Sequence, residues 1–191
     1  MATYKEKVGT AVTNNAGAFP GAADGELWFN STASTFQYQY GATTTAWSTG
    51  GNLNTAREDL AGAGIQTAAL GFGGDAGPSA PVTAITESYN GTNWTEVNDL
   101  NLARDRLAGV GATNTASLAF GGEGPDYKAE TELWNGTCWT EVNDLNTARV
   151  LMGAAGTSTS ALAFGGFFPV KNETESWNGT NWTEVNNLNT A

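Results

Sequence analysis

One eight-residue phrase occurs three times in this chain. Asn90-Gly91-Thr92-Asn93-Trp94-Thr95-Glu96-Val97 returns from Asn135 to Val142, changed only at Cys138, and again from Asn178 to Val185. Copies at a fixed period are repeated supersecondary units, and one such unit cannot bury its apolar face alone, so the architecture has to be read before any site. Other landmarks keep the same step. Arg57, Arg104 and Arg149 stand 47 and 45 residues apart, and the pairs Gly73-Gly74, Gly121-Gly122 and Gly165-Gly166 stand 48 and 44 apart. The unit is therefore about 45 residues long, with loops absorbing the differences.

Each unit reads as four short strands. In the first, a small apolar strand at Leu60 to Gly64 leads through a Gln66-Thr67 turn into Ala68 to Phe72, which stops at Gly73-Gly74. A variable loop follows, then Ala84 to Tyr89, the Asn90-Gly91 turn, and a last strand at Trp94 to Val97. Asn-Gly is the strongest short hairpin signal and predicts a type I′ turn, with positive φ at both central residues. Leu70 and Phe72 alternate with Gly71, and Glu87 and Tyr89 with Ser88, as half-buried strands do. No stretch keeps a helical period over three turns. Four strands per unit predict an all-β fold of β-propeller blades. The Gly and Ala of Ala61-Gly62-Ala63-Gly64, Gly109-Val110-Gly111-Ala112 and Gly153-Ala154-Ala155-Gly156 suit an innermost strand, where small side chains let neighbours approach.

The units resemble kelch repeats, which carry an Arg before the first strand, a double Gly closing the second, and an aromatic followed shortly by Trp. The matching residues are Arg57, Gly73, Gly74, Tyr89 and Trp94; Arg104, Gly121, Gly122, Trp134 and Trp139; and Arg149, Gly165, Gly166, Trp177 and Trp182. The resemblance departs at the outer hairpin, where only four residues separate Tyr89 from Trp94, and in number, because three full units are fewer than a propeller usually has. The expected organisation is residues 1–52 as an N-terminal β-hairpin module or degenerate first blade at the attachment end, then repeats at 53–99, 100–144 and 145–187, with 188–191 opening a further copy. In the first segment Glu26 to Asn30 and Phe36 to Tyr40 look like paired strands, and Trp47 lies one step before Trp94.

Composition narrows the chemistry. The chain has 191 residues, 40% of them hydrophobic, with seven Trp and eight Phe, which suits a packed core and not a disordered tail. A formal charge of −11, from 8 basic and 19 acidic residues, offers no basic stripe for counterion release and so argues against nucleic-acid binding. No apolar run approaches the length of a membrane span, and the first residues lead into no signal core. Kelch propellers include copper oxidases. With no His and one Cys, however, this chain lacks the nitrogen and sulfur ligands copper and zinc favour, and no base exists to activate Cys138. Asp75 and the pair Glu123 and Asp126 are loop carboxylates without calcium-loop spacing. Neither a metal nor another cofactor is expected, and no pair of carboxylates is singled out for glycoside hydrolysis. The repeated Glu87, Glu132 and Glu175 are expected to bond the repeated Arg within each blade. The Asn-x-Ser/Thr sequons, including Asn30, Asn90, Asn93, Asn135 and Asn178, fall mostly in hairpins, where turn geometry already accounts for Asn.

Repeat proteins hold a frame and vary its loops. Here the segments after the double Gly diverge most: Asp75 to Pro81, Glu123 to Lys128 and Phe167 to Lys171. Each contains Pro, and the candidate binding residues are Asp75, Pro78, Asp126, Tyr127, Phe167 and Phe168. Finally, Gly25-Glu26-Leu27-Trp28-Phe29-Asn30-Ser31-Thr32, with Phe36 to Tyr40 and Ala46-Trp47, is similar to a hairpin module of bacteriophage fibre and virion proteins. With kelch-like units following, the whole chain resembles kelch-repeat structural proteins of marine phages such as cyanophages. The resemblance implies a non-enzymatic virion surface protein, either a tail fibre with receptor-binding loops or a capsid decoration; the alternative is a stand-alone glycan- or protein-binding kelch propeller, and behind it a sugar oxidase or hydrolase. Its implied partners are other virion proteins, copies of itself, or a host-surface glycan or protein.

Overall fold

A computed structural model describes residues 3–5, 11–15, 27–38, 49–78, 82–167 and 169–190. Trp47, Tyr40, Pro81 and Phe168, named above, lie outside the described residues. Every regular element among the described residues is a strand, and the chain divides into two compact units, Met1–Ser48 and Thr49–Ala191.

The first unit holds one sheet of β1 (Thr3–Lys5), β2 (Ala11–Asn15), β3 (Leu27–Asn30) and β4 (Thr35–Tyr38), in that order. β3 and β4 form a hairpin whose turn is held by Asn30, its Oδ1 accepting the N–H groups of Thr32 and Ala33 at 3.0 Å each. β2 and β3 are parallel.

In the second unit the repeats fold as three antiparallel meanders. The first comprises β5 (Ala61–Ile65), β6 (Ala68–Phe72), β7 (Thr86–Tyr89) and β8 (Trp94–Glu96). The second comprises β9 (Ala108–Thr113), β10 (Ala116–Phe120), β11 (Thr131–Trp134) and β12 (Trp139–Val142). The third comprises β13 (Gly153–Thr157), β14 (Ser160–Phe164), β15 (Thr174–Trp177) and β16 (Trp182–Val185). The first strands β5, β9 and β13 lie side by side in sequence order. A Cβ on Gly109 would come within 2.5 Å of the Phe72 ring and 3.1 Å of the Gly62 carbonyl, which explains why small residues fill these strands.

The outer hairpin corrects the expected turn. Tyr89 pairs with Trp94 across four loop residues, and of those four only Gly91 takes a positive φ, as do Gly136 and Gly179 in their hairpins. A type I′ turn would need two such residues. The Asn side chain does the second one's work by capping the loop: Asn90 Oδ1 accepts the amides of Thr92 and Asn93 at 2.9 Å each, and Asn135 and Asn178 repeat this geometry.

Each meander encloses a buried charge. Arg57 meets Glu87 at 3.0 Å and Arg104 meets Glu132 at 3.1 Å, while Arg149 bonds Glu175, all with side chains essentially shut from solvent. Each Arg also donates to two backbone carbonyls: Gly73 and Ile85, Gly121 and Glu130, Gly165 and Glu173. Desolvation pulls Arg57 and Arg104 below their ordinary pKa, opposed by Glu87 and Glu132. The second carboxylate oxygen is claimed by a residue sequence reading did not single out. Asn54, Asn101 and Asn146 each donate both backbone N–H and side-chain Nδ2 to Glu Oε2 at 2.7–2.8 Å. The same Nδ2 bonds the carbonyl of Trp94, Trp139 or Trp182, tying the segment ahead of the first strand to the fourth.

Adjacent sheets meet through a repeated seam. Trp139 Nε1 donates to Thr86 Oγ1 at 3.0 Å while its ring packs on Phe72 with centroids 4.9 Å apart. Trp182 does the same to Thr131, at 3.0 Å, and to Phe120, at 4.8 Å. One apolar cluster joins the first two sheets and another the last two. Because removing one partner strands the other's charge in the interior, Glu132→Ala should cost about 3–5 kcal/mol in denaturant unfolding, whereas Asp126→Ala, at a solvated ion pair with Lys128, should cost less than about 1 kcal/mol.

Candidate functional site

The double Gly places the variable loops. Gly73 and Gly74, with φ of 67° and 101°, turn the chain out of β6, and a Cβ on Gly74 would fall 2.7 Å from the Glu58 carbonyl. Gly121-Gly122 and Gly165-Gly166 repeat this conformation. The residue that follows then pairs with the residue after the repeated Arg: Asp75 with Glu58, Glu123 with Asp105, Phe167 with Val150. Each loop thus begins at the same point of its frame, beside the start of the first strand.

These starting points are stitched together. Asp59, Arg106 and Leu151, each two residues after the repeated Arg, have φ of 52°, 49° and 53°. Left-handed backbone is uncommon for residues other than Gly and costs free energy wherever it is held. Here it aims main-chain groups across the seams: Arg106 N–H donates to the Asp59 carbonyl at 2.8 Å, and Leu151 N–H to the Arg106 carbonyl at 3.0 Å. The Arg106 guanidinium adds Asp59 at 3.2 Å and Glu123 at 2.7 Å. The three loop origins therefore form one continuous surface.

That surface grades from polar to apolar. Asp75 is absorbed by its own loop, its Oδ1 accepting Gly77 N–H at 2.8 Å, and Pro78 follows on the same loop. Asp126 points outward and pairs with Lys128 at 3.2 Å. Tyr127, Leu151, Phe167 and Val170 expose between 39% and 57% of their surface, a large share for apolar and aromatic residues on one face. Tyr127 sits opposite Glu123, and Phe167 opposite Val150, next to Leu151. Phe168 lies outside the described residues. Arg106 and Leu151 belong to this face although sequence reading passed over them, and Val170, which that reading held only as part of the variable loop, is exposed. The available signal was the variation Asp59, Arg106, Leu151 at one position of an otherwise repeated frame.

Other features lie elsewhere. A groove of about 470 Å³ lined by Glu96, Val97, Asn98, Trp134, Gly136 and Thr137 contains none of the loop residues. Cys138 is exposed in its hairpin. Among the described residues no three His, Cys, Asp or Glu side chains gather as metal ligands, and no helix is long and apolar enough to cross a membrane. Compared with family models and with curated proteins, the sequence matches none.

One titratable group beneath the face is strained. Asp105 is buried, its Oδ1 has no hydrogen-bond partner, and desolvation raises its carboxyl pKa against the pull of Arg106. A carboxyl raised in the folded state binds its proton more tightly there, so its contribution to stability falls as pH rises through the folded pKa. Asp105→Asn should therefore raise Tm at pH 7, by the equivalent of about 1 kcal/mol, and the gain should shrink as pH falls through the carboxylate range. A gain that does not change with pH would contradict this.

Proposed function

We propose that this chain is a non-enzymatic virion structural protein, a phage tail fibre or capsid decoration, whose repeats are kelch-type β-propeller blades. In this reading the loops after Gly73-Gly74, Gly121-Gly122 and Gly165-Gly166 present a recognition face to a host-surface glycan or protein. One observation carries the reading: a repeated, internally locked frame delivers its variable loops to one continuous surface, where Tyr127, Leu151 and Phe167 are exposed beside the Arg106 ion pairs. Exposed aromatic and aliphatic side chains bordered by satisfied charges are the usual material of a recognition patch.

The physical character of the frame supports the same role. Its charges are buried in pairs and its hairpins are capped, so the scaffold asks nothing of cofactors and tolerates sequence change in the loops. The strongly acidic balance favours carbohydrate or protein partners over nucleic acid. Other virion proteins or further copies of the chain would anchor the assembly, with residues 1–52 as the attachment end.

The test has two readouts. Purified particles of the encoding virus should contain the polypeptide by mass spectrometry. On a glycan array or intact host cells, the chain should bind saturably, and Tyr127→Ala, Leu151→Ala and Phe167→Ala together should weaken binding at least about tenfold with Tm unchanged. Unaltered binding by that variant would remove the loops from the mechanism, and absence from particles would remove the virion role.

A further inference from the structure

Both seams in the second unit are built from the same two halves. The trailing half supplies a Phe from the second strand, a Thr hydroxyl from the third and the N–H of the second Gly. The leading half supplies a Trp and the carbonyl of the repeated Arg. Thus Trp139 covers Phe72 and bonds Thr86 while Gly74 N–H donates to the Arg104 carbonyl at 2.9 Å. Trp182 covers Phe120 and bonds Thr131 while Gly122 N–H donates to the Arg149 carbonyl at 3.0 Å.

The third sheet carries a trailing half with nothing set against it among the described residues. Thr174 is only 7% exposed and its Oγ1, fully withdrawn from solvent, has no hydrogen-bond partner, although the hydroxyls of Thr86 and Thr131 both accept from Trp. Phe72 and Phe120 are completely buried, whereas Phe164 is partly exposed and its ring lies back over its own sheet, where a Cβ on Gly153 would come within 2.3 Å of it. The first sheet, conversely, carries a leading half that has no preceding sheet within its unit. Trp94 is half-buried and its Nε1 donates instead to the Gly51 carbonyl, at 3.1 Å.

We propose that the face of the third sheet left without a neighbouring sheet within its unit takes the first sheet of a second copy of this chain, head to tail. Trp94 of the second copy exchanges the Gly51 carbonyl for Thr174 Oγ1 and covers Phe164. The occupant follows from continuity. The contact reuses the residue types and register that the two internal seams already join, and each copy carries both halves. A buried hydroxyl left without a partner is costly, and the exchange satisfies it while the carbonyl it gives up belongs to Gly51, an exposed residue that water can serve. The contact is heterologous, so it propagates until a ring closes or continues as a filament. This inference rests on the seams and not on the loop face, so it stands or falls separately from host recognition.

Light scattering coupled to size exclusion on the full chain tests it. The wild type should run above its 19.8 kDa chain mass as an oligomer. Thr174→Arg blocks one half and Trp94→Ala removes the other, so each variant alone should be monomeric. An equimolar mixture should form a two-chain species and stop there, because only one working seam remains. Circular dichroism checks that both variants are folded. A wild type that stays monomeric up to its solubility limit overturns the proposal whatever the variants do. So does an oligomer that survives both substitutions.

Discussion

Three guanidinium groups held out of water determine the construction of the repeats. An Arg in the interior is tolerated only if its charge is met, and in each repeat the answer is the same: a Glu from the third strand and two carbonyls flanking the loop, with only the Nε of each Arg left without a partner. The Glu in turn needs donors for its second oxygen, and the Asn ahead of the first strand supplies two. The result is a polar network that ties the approach to strand one, the end of strand two, and strands three and four to one point.

With each sheet locked internally, the seams between sheets can be simple. One Trp per seam contributes apolar area against a Phe and one hydrogen bond to a Thr. Inner strands of Gly and Ala allow the sheets to approach until their backbones nearly touch, as at Gly62 and Gly109. The left-handed residues Asp59, Arg106 and Leu151 then link the loop origins across the seams, so the surface most free to vary in sequence is also among the best positioned.

Much of this was legible in the residues, for physical reasons. The Arg and Glu were visible because a charge repeated at one phase of a β-rich unit asks for a partner at another. The strand order was visible because Gly pairs and Asn-Gly turns punctuate it. Asn54, Asn101 and Asn146 were missed because Asn is expected in linkers and gives no sign that its side chain reaches a carboxylate about 30 residues on. The turn type was misjudged because Asn-Gly was read as a two-residue turn, whereas the Asn side chain caps a four-residue loop. Leu151 escaped notice, and Val170 is not singled out within its loop, because exposure of a single apolar residue is set by tertiary neighbours, which no local pattern reports.

Native-state amide hydrogen exchange tests the central claim most directly. Asn101 and Asn146 are exposed as whole residues, yet their backbone N–H groups are bound to the buried Glu132 and Glu175. If the Arg, Glu and Asn network holds each sheet together, the amides of Asn54, Asn101 and Asn146 should exchange only through global unfolding, as slowly as the central strands. Exchange at the rate of the hairpin amides of Thr92 and Thr137 would show that the network closes after the fold is made and does not hold it.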